Sequence, residues 1–209
     1  MFSNLHMIFN SLTTPLLPLA IYLIFLGLLN LGPSPKVFTG RLDRMYLYAG
    51  VSGLVIYGPI QILLPSNAVI RFGDHVWYPM MVLYFFGVLA ISMVSRPQLV
   101  IYNLSYQDFS LLLSRVKKRE VWMEERFGNV IQIIDLAIQF EITSVHAMKS
   151  VSLCATRGNQ SNLGWHELHK MLRRELISYK ASPNGFGWIY LASGLVLAAM
   201  VGWTSVSMA

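Results

Sequence analysis

The residues best suited to chemistry lie in one short segment, His166-Glu167-Leu168-His169. Zinc proteases carry two histidines four positions apart on a helix, with a glutamate between them as general base. Here the histidines are three positions apart, a spacing that still allows both to share a helical face. A third ligand would have to come from another element, such as His146. His166 and His169 are therefore candidate metal ligands, but the favoured interpretation is polar-face histidines without a metal, and no cofactor is predicted.

The other potentially reactive residues form no recognisable catalytic arrangement. Cys154 is the one cysteine in the sequence, so an internal disulfide is excluded. Glu124 and Glu125 are adjacent, which in a strand places them on opposite faces and makes a poor acid/base pair. Gly50 and Gly53 lie inside an apolar stretch, not between a strand and a helix as a phosphate-binding loop requires. No catalytic residue is predicted.

The elements that position these residues are indicated first by the distribution of charge. Only 12% of the chain is charged and 55% is hydrophobic, whereas soluble domains carry about 25% charged residues. Four windows contain no Asp, Glu, Lys or Arg: 1–35, 45–70, 75–95 and 181–209. Because about 20 apolar residues cross a bilayer, the sequence predicts a multi-pass, α-helical integral membrane protein with four transmembrane helices, over 16–31, 45–64, 77–94 and 186–206.

The basic residues beside these windows predict an orientation. Lys36, Arg41 and Arg44 follow the first window, whereas only Arg71 follows the second. Because cytoplasmic loops are enriched in Lys and Arg, we expect both termini outside and residues 97–182 in the cytoplasm, most simply at the plasma (inner) membrane. The net charge of +6 is explained by this flanking role and by attraction to anionic headgroups, so nucleic acid is not an expected partner.

The windows themselves favour anchoring over transport. Proton relays and charged-substrate pathways normally place ionisable groups inside the membrane, and these windows contain no Asp, Glu, Lys or Arg. In the second window Ala49 and Gly53 are four positions apart, so one flank is small enough for another helix to approach closely. This flank predicts self-association or a protein partner, in addition to the lipid bilayer.

Residues 97–182 have a different composition and are predicted to form a small inserted α+β domain. They hold 11 of the 16 basic and 8 of the 10 acidic residues. Ser105 and Asp108 resemble a capping box at the start of a helix over about 105–119. Residues 136–142 and 149–155 alternate apolar and polar side chains, as half-buried strands do. With the turn signal Gly128-Asn129 and an apolar stripe from Trp165 to Tyr179, the pattern predicts a helix, a three- to four-stranded antiparallel meander and a second helix.

Two basic clusters in this domain are candidate contacts for lipid or a partner: Lys117, Lys118 and Arg119, and Arg173 with Arg174. The first cluster also ends a predicted helix, where cations complement the helix dipole. We therefore favour a non-enzymatic function, a membrane-anchored interaction, sensing or accessory-subunit protein. The alternative is a membrane-embedded enzyme acting on lipid at the cytoplasmic face. This alternative is suggested by His166 and His169, which lie near the basic clusters in the sequence.

Overall fold

The computed structural model describes residues 14–56, 75, 77–120, 122–146, 148–157 and 160–206. A 3-10 turn, Thr14–Leu16, precedes the first helix. The elements are, in chain order, α1 (Leu17–Leu31), β1 (Lys36–Thr39), α2 (Gly40–Val55), α3 (Trp77–Val94), β2 (Gln98–Tyr102), α4 (Tyr106–Glu120), β3 (Glu124–Phe127), β4 (Val130–Ile133), β5 (Ile138–Val145), β6 (Ser150–Ala155), α5 (Asn162–Ser178) and α6 (Gly185–Val206).

The chain divides into two compact units. The sheet unit comprises Leu26–Asp43 and Ser95–Ile189. The helical unit comprises Met1–Phe25, Arg44–Val94 and Tyr190–Ala209. Each unit is therefore assembled from segments that are distant in the sequence.

All six strands of the sheet unit form one antiparallel sheet in the order β1-β2-β6-β5-β4-β3. The predicted three- to four-stranded meander is therefore wrong, because β1 and β2 were not expected. β1 lies in a segment that was interpreted as a loop, and it pairs with β2 through Val37 opposite Ile101. The strand has only four residues, too few to show an alternating pattern. In β2, Leu99 to Tyr102 are all buried, so its sequence does not alternate either.

The strands that were predicted are joined locally. β3 and β4 form a hairpin around Gly128-Asn129, with Phe127 opposite Val130. Gly128 has a φ of 62°, which glycine adopts without a Cβ clash. β5 and β6 pair from Phe140 opposite Ala155 to Val145 opposite Ser150. These hairpins fall on the segments where the turn signal and the alternation were found.

The two helices α4 and α5 supply the other half of the core. Their buried residues are the predicted apolar stripes: Phe109, Leu112, Leu113 and Val116 on α4, and Trp165, Leu168, Leu172 and Leu176 on α5. They share one hydrophobic cluster with the sheet, so both helices cover the same sheet face. Gly164 lets α5 approach closely, because a Cβ there would overlap the carbonyl oxygen of Leu136.

The four-span, multi-pass prediction is wrong. Among the residues that the structure describes, only α6 contains a helix long and apolar enough to cross a membrane, Gly185–Thr204, 17% of which is buried. The apolar stretches Leu17–Leu31 in α1 and Tyr78–Val94 in α3 are shorter. The length of an uncharged window does not determine the length of the helix inside it. Gly32, Pro33 and Pro35 follow the last residue of α1, and the next segment forms β1.

The predicted second span also fails. The helix found there, α2, begins at Gly40 and has Asp43 in its first turn, with Arg41 and Arg44 beside it. The rest of the predicted span, 57–64, lies outside the described residues. Within the helical unit, α2 packs closely on α1, because a Cβ at Gly50 would lie 2.6 Å from the Cβ of Tyr22.

Candidate functional site

A groove follows the edge of the sheet between β1 and α5. It consists of two adjoining clefts of about 440 and 510 Å³, which share Thr39 and His169. We call it the basic groove, after its charged and titratable lining residues: Lys36, Arg41, Arg96, His166, His169 and Arg173. All of them belong to the sheet unit.

The groove exists because α5 lies beside an edge strand. The apolar face of α5 is buried in the core through Leu168 and Leu172, so the neighbouring positions 169 and 173 are directed towards β1. His169 donates a hydrogen bond to the backbone carbonyl of Val37, which fixes its ring against the strand. Burial lowers the pKa of His169, and the nearby positive charges of Arg173 and His166 lower it further. The imidazole is therefore mainly neutral at pH 7 and leaves the permanent charge to the lysine and arginines.

Among the residues that the structure describes, the lining of the basic groove contains no aspartate or glutamate. Lys36, Arg41 and Arg173 form no ion pair with any residue that the structure describes. Arg96 reaches the carbonyl oxygen of Thr156 at 3.5 Å. Cations that converge on a concave surface without internal counter-ions attract anions and concentrate them there. This arrangement is suited to a phosphate or carboxylate group.

The other predicted basic cluster has a different environment. Lys117, in the last turn of α4, is paired with Glu124, the first residue of β3. Arg119 contacts Glu175 of α5 at 2.5 Å and Glu120 at 3.5 Å. Lys118 and Arg174 are exposed and lie outside the groove. Of the five residues predicted to contact lipid or a partner, the structure therefore brings only Arg173 into the groove.

The candidate metal ligands His166 and His169 both line the groove. No group of three His, Cys, Asp or Glu side chains suited to a metal is found in the part of the chain that the structure describes. His146 follows β5 at the turn towards β6 and is not in the groove lining. His166 and His169 stay candidate ligands by their spacing, and polar-face histidines without a metal stay the favoured interpretation.

Sequence reasoning missed Lys36, Arg41 and Arg96 as site residues. Each flanks an apolar stretch and was interpreted as an orientation signal. Lys36 and Arg41 are about 130 positions before α5 in the sequence, so no local pattern connects them to His169. Only the pairing of β1 with β2 brings them to the same edge of the sheet.

A second polar cluster joins the start of α4 to the segment after α5. The Ser105 hydroxyl donates to Asp108 Oδ2 at 2.6 Å and accepts from the Asp108 backbone N–H at 3.1 Å. Hydrogen bonds from Ser105 and then Tyr179 lower the pKa of Asp108, opposed by partial burial, with a further lowering by Lys149. Lys149 also reaches Ser182 Oγ at 3.0 Å. The cluster is a structural tie between α4, the β5–β6 turn and the segment that leads to α6.

The predicted partner face on α2 lies in the helical unit. A Cβ at Gly53 would overlap the carbonyl oxygen of Pro15, so this position is in contact within the same chain. Ala49 instead lines an apolar cleft of about 350 Å³ together with Pro18, Ile21, Tyr22, Phe25, Tyr46 and Gly50. The chain itself thus occupies the small flank at Gly53, and an open apolar surface remains at Ala49.

No protein family, curated sequence or solved structure shows significant similarity to this chain. Its class is therefore defined by its own architecture. In the part of the chain that the structure describes, it is an α+β protein with a six-stranded antiparallel sheet, a basic groove at the sheet edge, and one helix with the length and composition of a membrane span.

Proposed function

We propose that this protein is a membrane-anchored binding protein whose sheet unit binds a phosphate-bearing anion in the basic groove. The observation that supports this function is the charge of Lys36, Arg41 and Arg173, which line the groove and form no ion pair with the residues that the structure describes. Arginine is the residue best suited to bidentate recognition of phosphate. A sensing or accessory-subunit function fits the same site, since binding requires no reactive group.

Titration with inorganic phosphate would test this function. The full-length protein, in neutral detergent and labelled with ¹³C at its histidines, is observed by NMR as phosphate is added. We expect saturable shifts of His166 and His169 and little change at His146. Because a bound anion favours the imidazolium form, phosphate should also raise the pKa of His169.

Two adjacent arginines supply a matched pair of variants. Arg173→Gln should weaken phosphate binding by about tenfold, since a charge-assisted hydrogen bond contributes about 1.5–3 kcal/mol. Arg174→Gln removes the same charge one position outside the groove and should leave affinity within about twofold. Equal losses in the two variants, or no saturable shift in the unaltered protein, would refute the proposed function.

The alternative function is an enzyme that acts on lipid at the membrane surface. The observation that favours it is the position of His166 and His169 at the centre of a groove suited to phosphate. Under this alternative, His166→Ala and His169→Ala each abolish turnover of a phospholipid while phosphate still binds. Turnover that persists in both variants, or never occurs, leaves binding as the function.

The membrane attachment in this proposal depends on α6. The expected topology at the plasma (inner) membrane places residues 97–182 in the cytoplasm and the C-terminus outside. The predicted outside N-terminus required further spans, so it is withdrawn with the four-span fold. A cysteine introduced by Ala209→Cys, with Cys154→Ser, should react with an impermeant maleimide in intact cells; reaction only after permeabilisation would reverse the topology.

A protein partner or a second copy remains part of the proposal through the cleft at Ala49. A bulky variant, Ala49→Phe, should reduce association in detergent, whereas the exposed position Leu54→Phe should not. Association that is unchanged in Ala49→Phe would exclude this face.

A further inference from the structure

The exposed side of α5 carries apolar and basic residues together, and three of them, His166, Arg173 and Ile177, also line the basic groove. Leu163 and Ile177 are 79% and 74% exposed. They are 14 positions apart, about 21 Å along a helix, and lie on the same side because 14 residues complete nearly four turns. His166, Lys170, Arg173 and Arg174 lie between them on that side. We call these six residues the outer face of α5.

The outer face carries an excess of positive charge. Lys170, Arg173 and Arg174 are full cations, and they form no ion pair with described residues. The acidic residue at its margin is Glu167, which is partly covered, while Glu175 turns towards Arg119 on α4. A helix face with basic residues between apolar anchors is the pattern of helices that lie on anionic membrane surfaces.

The connection to α6 favours a membrane over another partner. Six residues, 179–184, separate the end of α5 from Gly185, so the two helix ends can be no more than about 25 Å apart even when this segment is fully extended. The segment is also held within the sheet unit. Ala181 N–H donates to Pro33 O at 3.0 Å, and Asn184 N–H donates to Asn30 O at 3.1 Å. The C-terminal end of α5 is thus fixed close to the start of the candidate membrane span.

We infer that the outer face of α5 docks on the anionic headgroup layer of the membrane in which α6 is anchored. Leu163 and Ile177 enter the headgroup region, and Lys170, Arg173 and Arg174 contact lipid phosphates. The inference rests on the proposed membrane attachment, but it does not require the groove to bind phosphate. It assigns a second surface to the sheet unit, with anionic lipid as its occupant.

An environment-sensitive probe at Ile177 tests the docking. The full-length protein carries Cys154→Ser and Ile177→Cys labelled with nitrobenzoxadiazole, in nanodiscs of phosphatidylcholine alone or with about one third phosphatidylglycerol. We expect blue-shifted, brighter emission in the anionic discs, and the same response from a probe at Leu163→Cys. The control is Leu111→Cys on α4, which is 59% exposed and should not respond to lipid charge.

Charge variants separate this inference from the proposed function. Lys170→Gln with Arg174→Gln should abolish the lipid-dependent shift at position 177 and leave phosphate binding within about twofold, because neither residue lines the groove. Arg41→Gln should weaken phosphate binding and leave the shift intact. Phosphate binding without a lipid response would overturn only the docking, whereas a lipid response without phosphate binding would overturn only the groove.

Two further outcomes would also overturn the inference. Equal emission in neutral and anionic discs would show that lipid charge does not bind the outer face of α5 to the membrane. A shift that follows the number of protein chains per disc, and not lipid composition, would assign the face to a second copy of the chain.

Discussion

Basic side chains lie near both sides of α5, but the charges of their neighbours differ between the two sides. Towards α4, Arg119 contacts Glu175, and Lys117 on the same helix is paired with Glu124 of β3. Towards β1, His169 and Arg173 meet Lys36 and more arginines, and no acidic residue lines the space among the residues that the structure describes. Charge that is paired holds elements together, whereas charge that converges without a partner is available to a ligand.

This difference separates residues that the sequence alone treated as equivalent. Lys117-Lys118-Arg119 and Arg173-Arg174 were both predicted to contact lipid or a partner. The first cluster is largely neutralised within the fold, and its surface ion pairs contribute about 0–1 kcal/mol each to stability. Arg173 has no such partner and lines the groove.

The largest expected effect comes from a substitution in the hydrophobic core that holds α5 in place. Leu168 is 0% exposed, so Leu168→Ala should lower the free energy of unfolding by about 2–5 kcal/mol. Hydrogen exchange of the β5 and β6 amides in the full-length protein measures this loss. The control is Leu163→Ala on the outer face, expected within about 0.5 kcal/mol of the unaltered protein. Equal exchange in the two variants would mean that α5 is not held by this core.

A smaller effect is expected at the polar tie between α4 and the segment after α5. Asp108→Asn should cost about 1 kcal/mol at pH 7, the usual contribution of a helix-capping interaction. The pKa of Asp108 is lowered below its ordinary 3.8 by Ser105 and Tyr179, so its stabilisation is present above about pH 4 and is lost as the pH falls through the folded-state pKa.

Urea unfolding at pH 7 and pH 3 should therefore show a smaller difference between Asp108→Asn and the unaltered protein at the lower pH. Glu125→Gln, in the exposed part of β3, serves as the control and should show no such pH dependence. A constant difference at both pH values would contradict the ionised hydrogen-bonded carboxylate.

The electrostatic contrast itself predicts a loss of stability from a substitution on one side of α5 and no loss from one on the other side. Glu175→Gln leaves Arg119 without its closest partner and should cost about 0.2–1 kcal/mol at low salt, less at high salt. Arg173→Gln should cost nothing, because it removes a cation that is surrounded by other positive groups. Hydrogen exchange at two salt concentrations compares the variants. A loss in Arg173→Gln as large as that in Glu175→Gln would show that the groove charge is internally paired.

The smallest effect concerns titration within the groove. Burial lowers the pKa of His169, the hydrogen bond to Val37 opposes this, and the charges of Arg173 and His166 lower the pKa further. The contribution of His169 to stability is therefore present above about pH 6.5 and is lost as the pH falls through the lowered folded-state pKa. Arg173→Gln should raise the pKa of His169, measured by NMR of the imidazole, and Arg174→Gln should not. If both variants raise it equally, the effect is a general change in net charge.

The helices and hairpins of the sheet unit were predictable because their signals are local. The stripe on α4, the turn at Gly128-Asn129 and the alternation in β5 and β6 each lie within about fifteen consecutive residues. β1 and β2 were not predictable by the same reasoning. β1 is four residues long, and its partner β2 lies about 60 positions later and is buried along its length. The basic groove depends on β1, so it could not be predicted either.

The sequence by itself determined which segments are apolar, which are charged, and which residues of α4 and α5 face a core. These properties follow from side-chain type and periodicity, which act over one or two turns of helix or a few residues of strand. Tertiary structure decided the length of each apolar helix, the six-stranded sheet, and which basic residues are neutralised. Tertiary structure also decided which residues lie near His166 and His169, the candidate metal ligands. Charge compensation and strand pairing depend on distances between atoms that are remote in the chain, and only the fold determines those distances.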